Sequence, residues 1–91
     1  MSVQASTWAT SQTVGSHVAK HVLITVANYA HVDGTSSPSL RRLMRETELS
    51  EQAVRKALRH LEAKGFLARS PQPVGGSDAD LFHFHLRIGE G

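Results

Sequence analysis

A chain of 91 residues with 40% hydrophobic and 20% charged side chains has the make-up of one small soluble domain. At that size only about 60–65% of the unfolded chain's surface can be buried. Cysteine is absent, which excludes disulfides and thiolate metal sites and fits a reducing cytoplasm; no apolar run approaches the roughly 20 residues that span a bilayer, and the N-terminus lacks the basic stretch of a secretory signal. The formal net charge of +2 permits nucleic-acid binding without demanding it.

Residues 1–15 are rich in Ser, Thr, Gln and Ala, with Trp8 as their one aromatic, and read as a flexible arm that docks through Trp8. The pattern then changes. Val18, Val22, Val26 and Ala30 recur at i+4 beside a second row of Ala19, Leu23 and Ala27, which predicts a helix with a wide apolar face. The β-branched stretch around Ile24 would suit a strand, but the i+4 rows continue over more than ten residues and favour helix. Ser16 is the expected N-cap, and Asp33-Gly34 ends the element as a turn. Because it is apolar nearly all round, this first helix is expected at the centre, covered on several sides.

A second helix is predicted from Pro38, with Ser37 as its cap and Pro38 supplying a preset φ at the first helical position. Leu40, Leu43, Met44 and Thr47 share one face, while Arg41, Arg42, Arg45 and Glu46 point away. Leu49 and Ser50 mark a short turn and a new N-cap. The third helix runs from Glu51 to about Lys64, with Val54, Ala57, Leu58 and Leu61 as its buried stripe. Gly65 is the expected left-handed residue beyond its end. After Gly65 the period switches to 2. Residues 66–69 read as a short strand, Pro71, Pro73 and Gly75-Gly76 break it, and residues 81–88 alternate. Phe82, Phe84, Leu86 and Ile88 fall on one face there, and His83, His85 and Arg87 on the other.

The expected fold is therefore α+β and mostly helical. It is a three-helix winged helix-turn-helix over residues 16–88, with a C-terminal two-stranded β-hairpin wing and a tail at 89–91. In that order of elements the third helix projects its outer face, which can enter a major groove about 12 Å wide. Of the ten Lys and Arg residues, six lie between Arg41 and Arg59, on the second and third helices. The outer face of the third helix carries Glu51, Gln52, Arg55, Lys56, Arg59 and His60. Gln suits adenine and Arg suits guanine, each through two hydrogen bonds. Lys56 and Arg59, with Arg41, Arg42 and Arg45, can neutralise phosphates, and the amide ends of both helices favour phosphate oxygens. The expected contact set is Ser39, Arg41, Arg42, Arg45, Ser50, Gln52, Ala53, Arg55, Lys56 and Arg59.

The run Leu49-Ser50-Glu51-Gln52-Ala53-Val54-Arg55-Lys56-Ala57-Leu58-Arg59-His60-Leu61-Glu62-Ala63-Lys64-Gly65-Phe66-Leu67 resembles the recognition-helix signature of winged-helix regulators of the GntR and MarR kind. Together with Trp8-Ala9, the apolar core of residues 20–30, Asp33-Gly34 and Pro38-Ser39, it is also similar to the N-terminal domain of phage and plasmid replication initiators. The resemblance covers about residues 5–69. It implies a bacterial, phage or plasmid transcriptional regulator or replication initiator that binds double-stranded DNA in a sequence-specific way. The chain departs from it twice. Those regulators often carry Arg or a small polar residue where Glu51 stands, and an acid there repels phosphate unless it accepts from a cytosine amino group. The wing tip Gly75-Gly76-Ser77-Asp78 is acidic and has no Lys or Arg, whereas a wing in the minor groove normally uses a basic residue. Recognition is therefore assigned to the third helix.

Plainer readings compete at each position. Arg55, Lys56 and Arg59 could form only a solvated helix face, and Glu46 and Glu48 could pair with the arginines of the second helix. His17 and His21 are spaced i, i+4, and His83 and His85 share a strand face, but neither pair is joined by a carboxylate in a metal-binding motif. Histidines that titrate at a surface or interface are the expectation. Trp8 and Tyr29 read as packing residues rather than as a platform for single strands. No phosphate loop or catalytic triad is legible, so neither enzyme activity nor a cofactor or metal is expected. The expected partner is double-stranded DNA, bound by a homodimer because one module reads few base pairs. The dimer surface would be either the N-terminal arm with the first helix or the strand face of His83 and His85. The alternative is a winged-helix protein-interaction module, with which the acidic wing and modest net charge are consistent.

Overall fold

The computed structural model describes residues 3–69 and 81–88. Helix α1 spans Val3–Ser11 and α2 spans His17–Asn28. Ser16 caps α2, its Oγ accepting from the Ala19 N–H at 3.2 Å. Val22, Leu23, Val26 and Ala27 are fully buried, so α2 is the central helix its composition predicts. Val18, assigned to the same apolar row, is 43% exposed because it lies in the first turn, at the rim of the core.

The N-terminal stretch read as a flexible arm is helical. Ala5 and Ala9, one turn apart on α1, are completely buried against the core. Their small side chains allow close approach to α2, and Ser6 Oγ donates to Asn28 Oδ1 at 2.8 Å. Trp8 is only half-buried and meets Phe66 edge-on, with ring centroids 6.4 Å apart. Trp8 is thus the packing residue expected, although two alanines seat the helix as firmly.

Strand β1, Thr35–Ser36, follows a turn in which Gly34 has φ +87. Gly34 also lies against β3 (Phe84–Leu86), where an added Cβ would come within 3.4 Å of the Leu86 carbonyl and the His85 ring. Ser36 is fully buried, and its hydroxyl donates to the Val26 carbonyl at 2.8 Å, which satisfies the polar group inside the core. Helix α3 spans Leu40–Thr47 and α4 spans Glu51–Ala63. The cap of α3 is Ser39, not Ser37: Pro38 lies outside the helix, and Ser39 Oγ accepts from the Arg42 N–H at 3.0 Å. The carbonyl of Pro38 instead accepts from the Phe82 N–H at 2.9 Å, a tertiary bond that local propensity cannot foresee.

Strand β2 covers Leu67–Arg69, and the sheet has the antiparallel order β1-β3-β2. The two-stranded hairpin expected from the alternation is therefore a three-stranded sheet. Thr35 pairs with His85 and Ser36 with Phe84 on one side of β3, while Leu67 pairs with Leu86 and Arg69 with Phe84 on the other. Phe84 and Leu86 are buried and His85 is exposed, as the alternation requires. Leu43, Val54, Leu58, Leu61 and Leu67 join these residues in a single core with α2. The expected wing tip, Gly75-Gly76-Ser77-Asp78, and the tail at 89–91 lie outside the described residues. Among the described residues no helix is long and apolar enough to cross a membrane.

Candidate nucleic-acid interface

Two helices and the turn between them build the candidate interface. Helix α3 closes at Glu48, which adopts the left-handed conformation with φ 57 and ψ 31. Leu49 follows, half-buried against the core. Ser50 then caps α4, its Oγ accepting from the Ala53 N–H at 3.2 Å while Val54 N–H donates to the Ser50 carbonyl at 3.0 Å. Only three residues separate the helices, so α4 must turn sharply away from α3 and expose its far side.

Burial of Val54, Ala57, Leu58 and Leu61 fixes which side that is. At about 100° per residue, Gln52, Lys56 and Arg59 lie opposite the buried stripe, and all three are exposed. Lys56 and Arg59 take part in no ion pair or hydrogen bond among the described residues. Ala53 is half-buried on the flank toward α2, and its amide already serves the Ser50 cap. His60 lies on that flank too, its Nε2 3.1 Å from the Val14 carbonyl, so it ties α4 to the α1–α2 connection. Arg55 occupies the opposite flank, and its Nε donates to Glu51 Oε2 at 2.9 Å. Glu62, on that same flank, accepts from Arg69 Nε at 2.6 Å. That bond joins β2 to α4, and the Arg69 guanidinium also lies 5.4 Å from the centroid of the Phe82 ring.

The arginines of α3 do not behave alike. Arg42 lies over the Tyr29 ring, 4.9 Å from its centroid, and the Tyr29 hydroxyl donates to Glu46 Oε1 at 2.5 Å. Tyr29 is thus a packing residue, as expected, and Glu46 binds a phenol rather than an arginine. Arg41 and Arg45 are exposed and unpaired among the described residues. They flank a shallow groove floored by Leu40, Met44 and Leu49. The hydroxyls of Ser39 and Ser50 accept at their caps but keep their own protons to donate. The predicted set accordingly divides: Gln52, Lys56 and Arg59 form the outer row of α4, Arg55 stands beside them, and Arg41 and Arg45 lie on α3. Arg42 and Ala53 are already engaged within the fold. The Glu51–Arg55 pair was not foreseen, although its i, i+4 spacing is the signal for it.

His60 apart, the histidines lie outside α3 and α4. His17 and His21 are exposed on α2, His85 is exposed on β3, and His83 Nδ1 sits 3.2 Å from Ser37 Oγ. Near them Asp33 accepts from both the Thr35 hydroxyl at 2.7 Å and the Thr35 N–H at 3.0 Å. Those two bonds, the hydroxyl's first, hold its carboxyl below the ordinary aspartate range, with smaller help from His31 and His85.

In comparison with known proteins, the helix-turn-helix domain family matches residues 16–67, more than half of the chain and the whole of α2 to α4. No curated protein and no solved structure matches it.

Proposed function

The chain belongs to the helix-turn-helix domain family, and from that premise we propose that it binds double-stranded DNA in a sequence-specific way, with α4 in the major groove. The observation that carries this reading is the outer row of α4, where Gln52, Lys56 and Arg59 are exposed opposite the core and both cations are unpaired among the described residues. Lys56 and Arg59 meet phosphates, and Arg41 and Arg45, exposed on α3, supply further phosphate contacts. Gln52, in the first turn of α4, is placed for an adenine edge. The order α2-β1-α3-α4-β2-β3 supports a winged arrangement, with β2 and β3 as the strands of the wing. The role is one of binding, not catalysis, in a transcriptional regulator or a replication initiator. The bound form is a homodimer on an inverted or direct repeat, since one module of this size reads few base pairs.

Selection of bound duplexes from a random pool tests the reading, with the complex then sized by light scattering. A shared motif with two half-sites and two protein copies is the expected result. Duplex binding that ignores both sequence and salt would overturn it, and the groove of Leu40, Met44 and Leu49 between Arg41 and Arg45 would then point to a protein partner.

A further inference from the structure

Glu51 and Arg55 stand one turn apart at the start of α4, joined by a single 2.9 Å bond from Arg55 Nε to Glu51 Oε2, with side chains 56% and 46% exposed. A pair this exposed contributes little to folding, because solvent screens it and two long side chains must be ordered to make it. Its geometry nevertheless restricts what Arg55 can do. The guanidinium is planar with five N–H donors. Committing Nε–H to Glu51 restricts that plane and leaves the edge formed by the two Nη groups unbound among the described residues. That edge matches the N7 and O6 acceptors of guanine in the major groove.

The pair is poorly suited to phosphate. A carboxylate beside the arginine cancels much of its charge and repels an anionic oxygen. Base edges are uncharged, so the same carboxylate costs far less against them. It can also be used, because Glu51 accepts no second side-chain hydrogen bond among the described residues, and a free carboxylate oxygen accepts from the N4 amino group of cytosine. Among the described residues Lys56 and Arg59 carry no such acid partner, which leaves them for the backbone.

We infer that Glu51 and Arg55 form one base-reading unit, in which Glu51 positions Arg55 on a guanine and itself accepts from a neighbouring cytosine amino group. The inference rests on the duplex-DNA reading above and adds to it a specificity: a G·C-rich element within the half-site. Arg55 is the contacting residue, and Glu51 acts both as contact and as positioning residue.

The test is selection from a random duplex pool with the wild-type chain, Glu51→Gln and Arg55→Ala, each checked for folding by its melting temperature. The wild type is expected to enrich guanine at one position and cytosine beside it. Arg55→Ala should lose the guanine preference by about fivefold or more, the discrimination typical of a two-bond contact. Glu51→Gln should weaken the guanine preference and abolish the cytosine preference, while affinity for unrelated duplexes rises because a negative charge has gone. A role confined to the first turn of the helix would lower the melting temperature and leave base preferences within twofold, and that outcome overturns the inference alone. If the wild type enriches no duplex at all, the DNA reading falls and this inference with it.

Discussion

Glu48 is the only non-glycine residue with positive φ among the described residues, and it sits where the two helices of the interface join. A Cβ in the left-handed region crowds the following carbonyl, at about 1–2 kcal/mol. Glycine removes that crowding but adds freedom to the unfolded chain. Glu48→Gly is therefore expected to raise stability by about 0.5–1 kcal/mol, read as a higher denaturant midpoint with an unchanged slope. A lower midpoint would mean that the glutamate side chain makes a compensating contact. Asp33 gives a second prediction, with a definite sign. Its folded pKa is depressed by the two Thr35 bonds, so its contribution is present above the ordinary aspartate range and is lost as pH falls through the lowered value. Asp33→Asn keeps an oxygen acceptor but does not titrate. The variant should show a shallower fall of urea midpoint below about pH 4 than the wild type. Coincident acid limbs would show that the turn contributes nothing to acid sensitivity.

At the scale of the element, α1 is the part whose role composition hides. Ala5 and Ala9 have no exposed surface, so a larger side chain has nowhere to go. Ala9→Leu should cost about 1–3 kcal/mol through overpacking, whereas Thr7→Leu, on the exposed side of the same helix, should change the midpoint little. Equal midpoints for the two variants would return α1 to the status of a loose arm. The reason α1 was not legible is physical: alanines anchor it, and alanine carries little hydrophobic signal in a Ser- and Thr-rich stretch. The clue lay in its partner, since a helix as apolar as α2 needs cover on several sides. Strand β1 was hidden for another reason, because two residues make no periodic pattern and its partner His85 lies far along the chain. Helices α2 and α4 were legible because period and cap agree, with Ser16 and Ser50 each accepting from the third residue beyond. Local rules favour Ser37, with Pro38 at the first helical position, but the Pro38 carbonyl accepts from the Phe82 N–H and the cap is Ser39.

Over the whole molecule a net charge of +2 makes a weak field, so any affinity for a polyanion must come from where the charges sit. Sequence showed their clustering on α3 and α4 but not their partners. Arg55 and Arg69 are bound to acids, Arg42 lies on an aromatic ring, and Lys56, Arg59, Arg41 and Arg45 are unpaired among the described residues. Charge that is already paired releases fewer counterions when it meets a phosphate, and this separates the basic residues by experiment. Each phosphate contact contributes about 0.9 to the slope of log affinity against log salt. Lys56→Ala and Arg59→Ala should each reduce that slope by about 0.9 and weaken all duplexes alike. Arg42→Ala should change it less, because its loss is chiefly one of packing against Tyr29. Lys64→Ala, at the far end of α4, should leave the slope unchanged and serves as the control for net charge. The measurement is fluorescence anisotropy of a labelled duplex titrated at four or more salt concentrations. Parallel lines for the wild type and the Lys56→Ala, Arg59→Ala double variant would mean that the outer row of α4 does not face the backbone. A slope lowered equally by Lys64→Ala would mean that total charge, rather than the surface of α4, governs attraction.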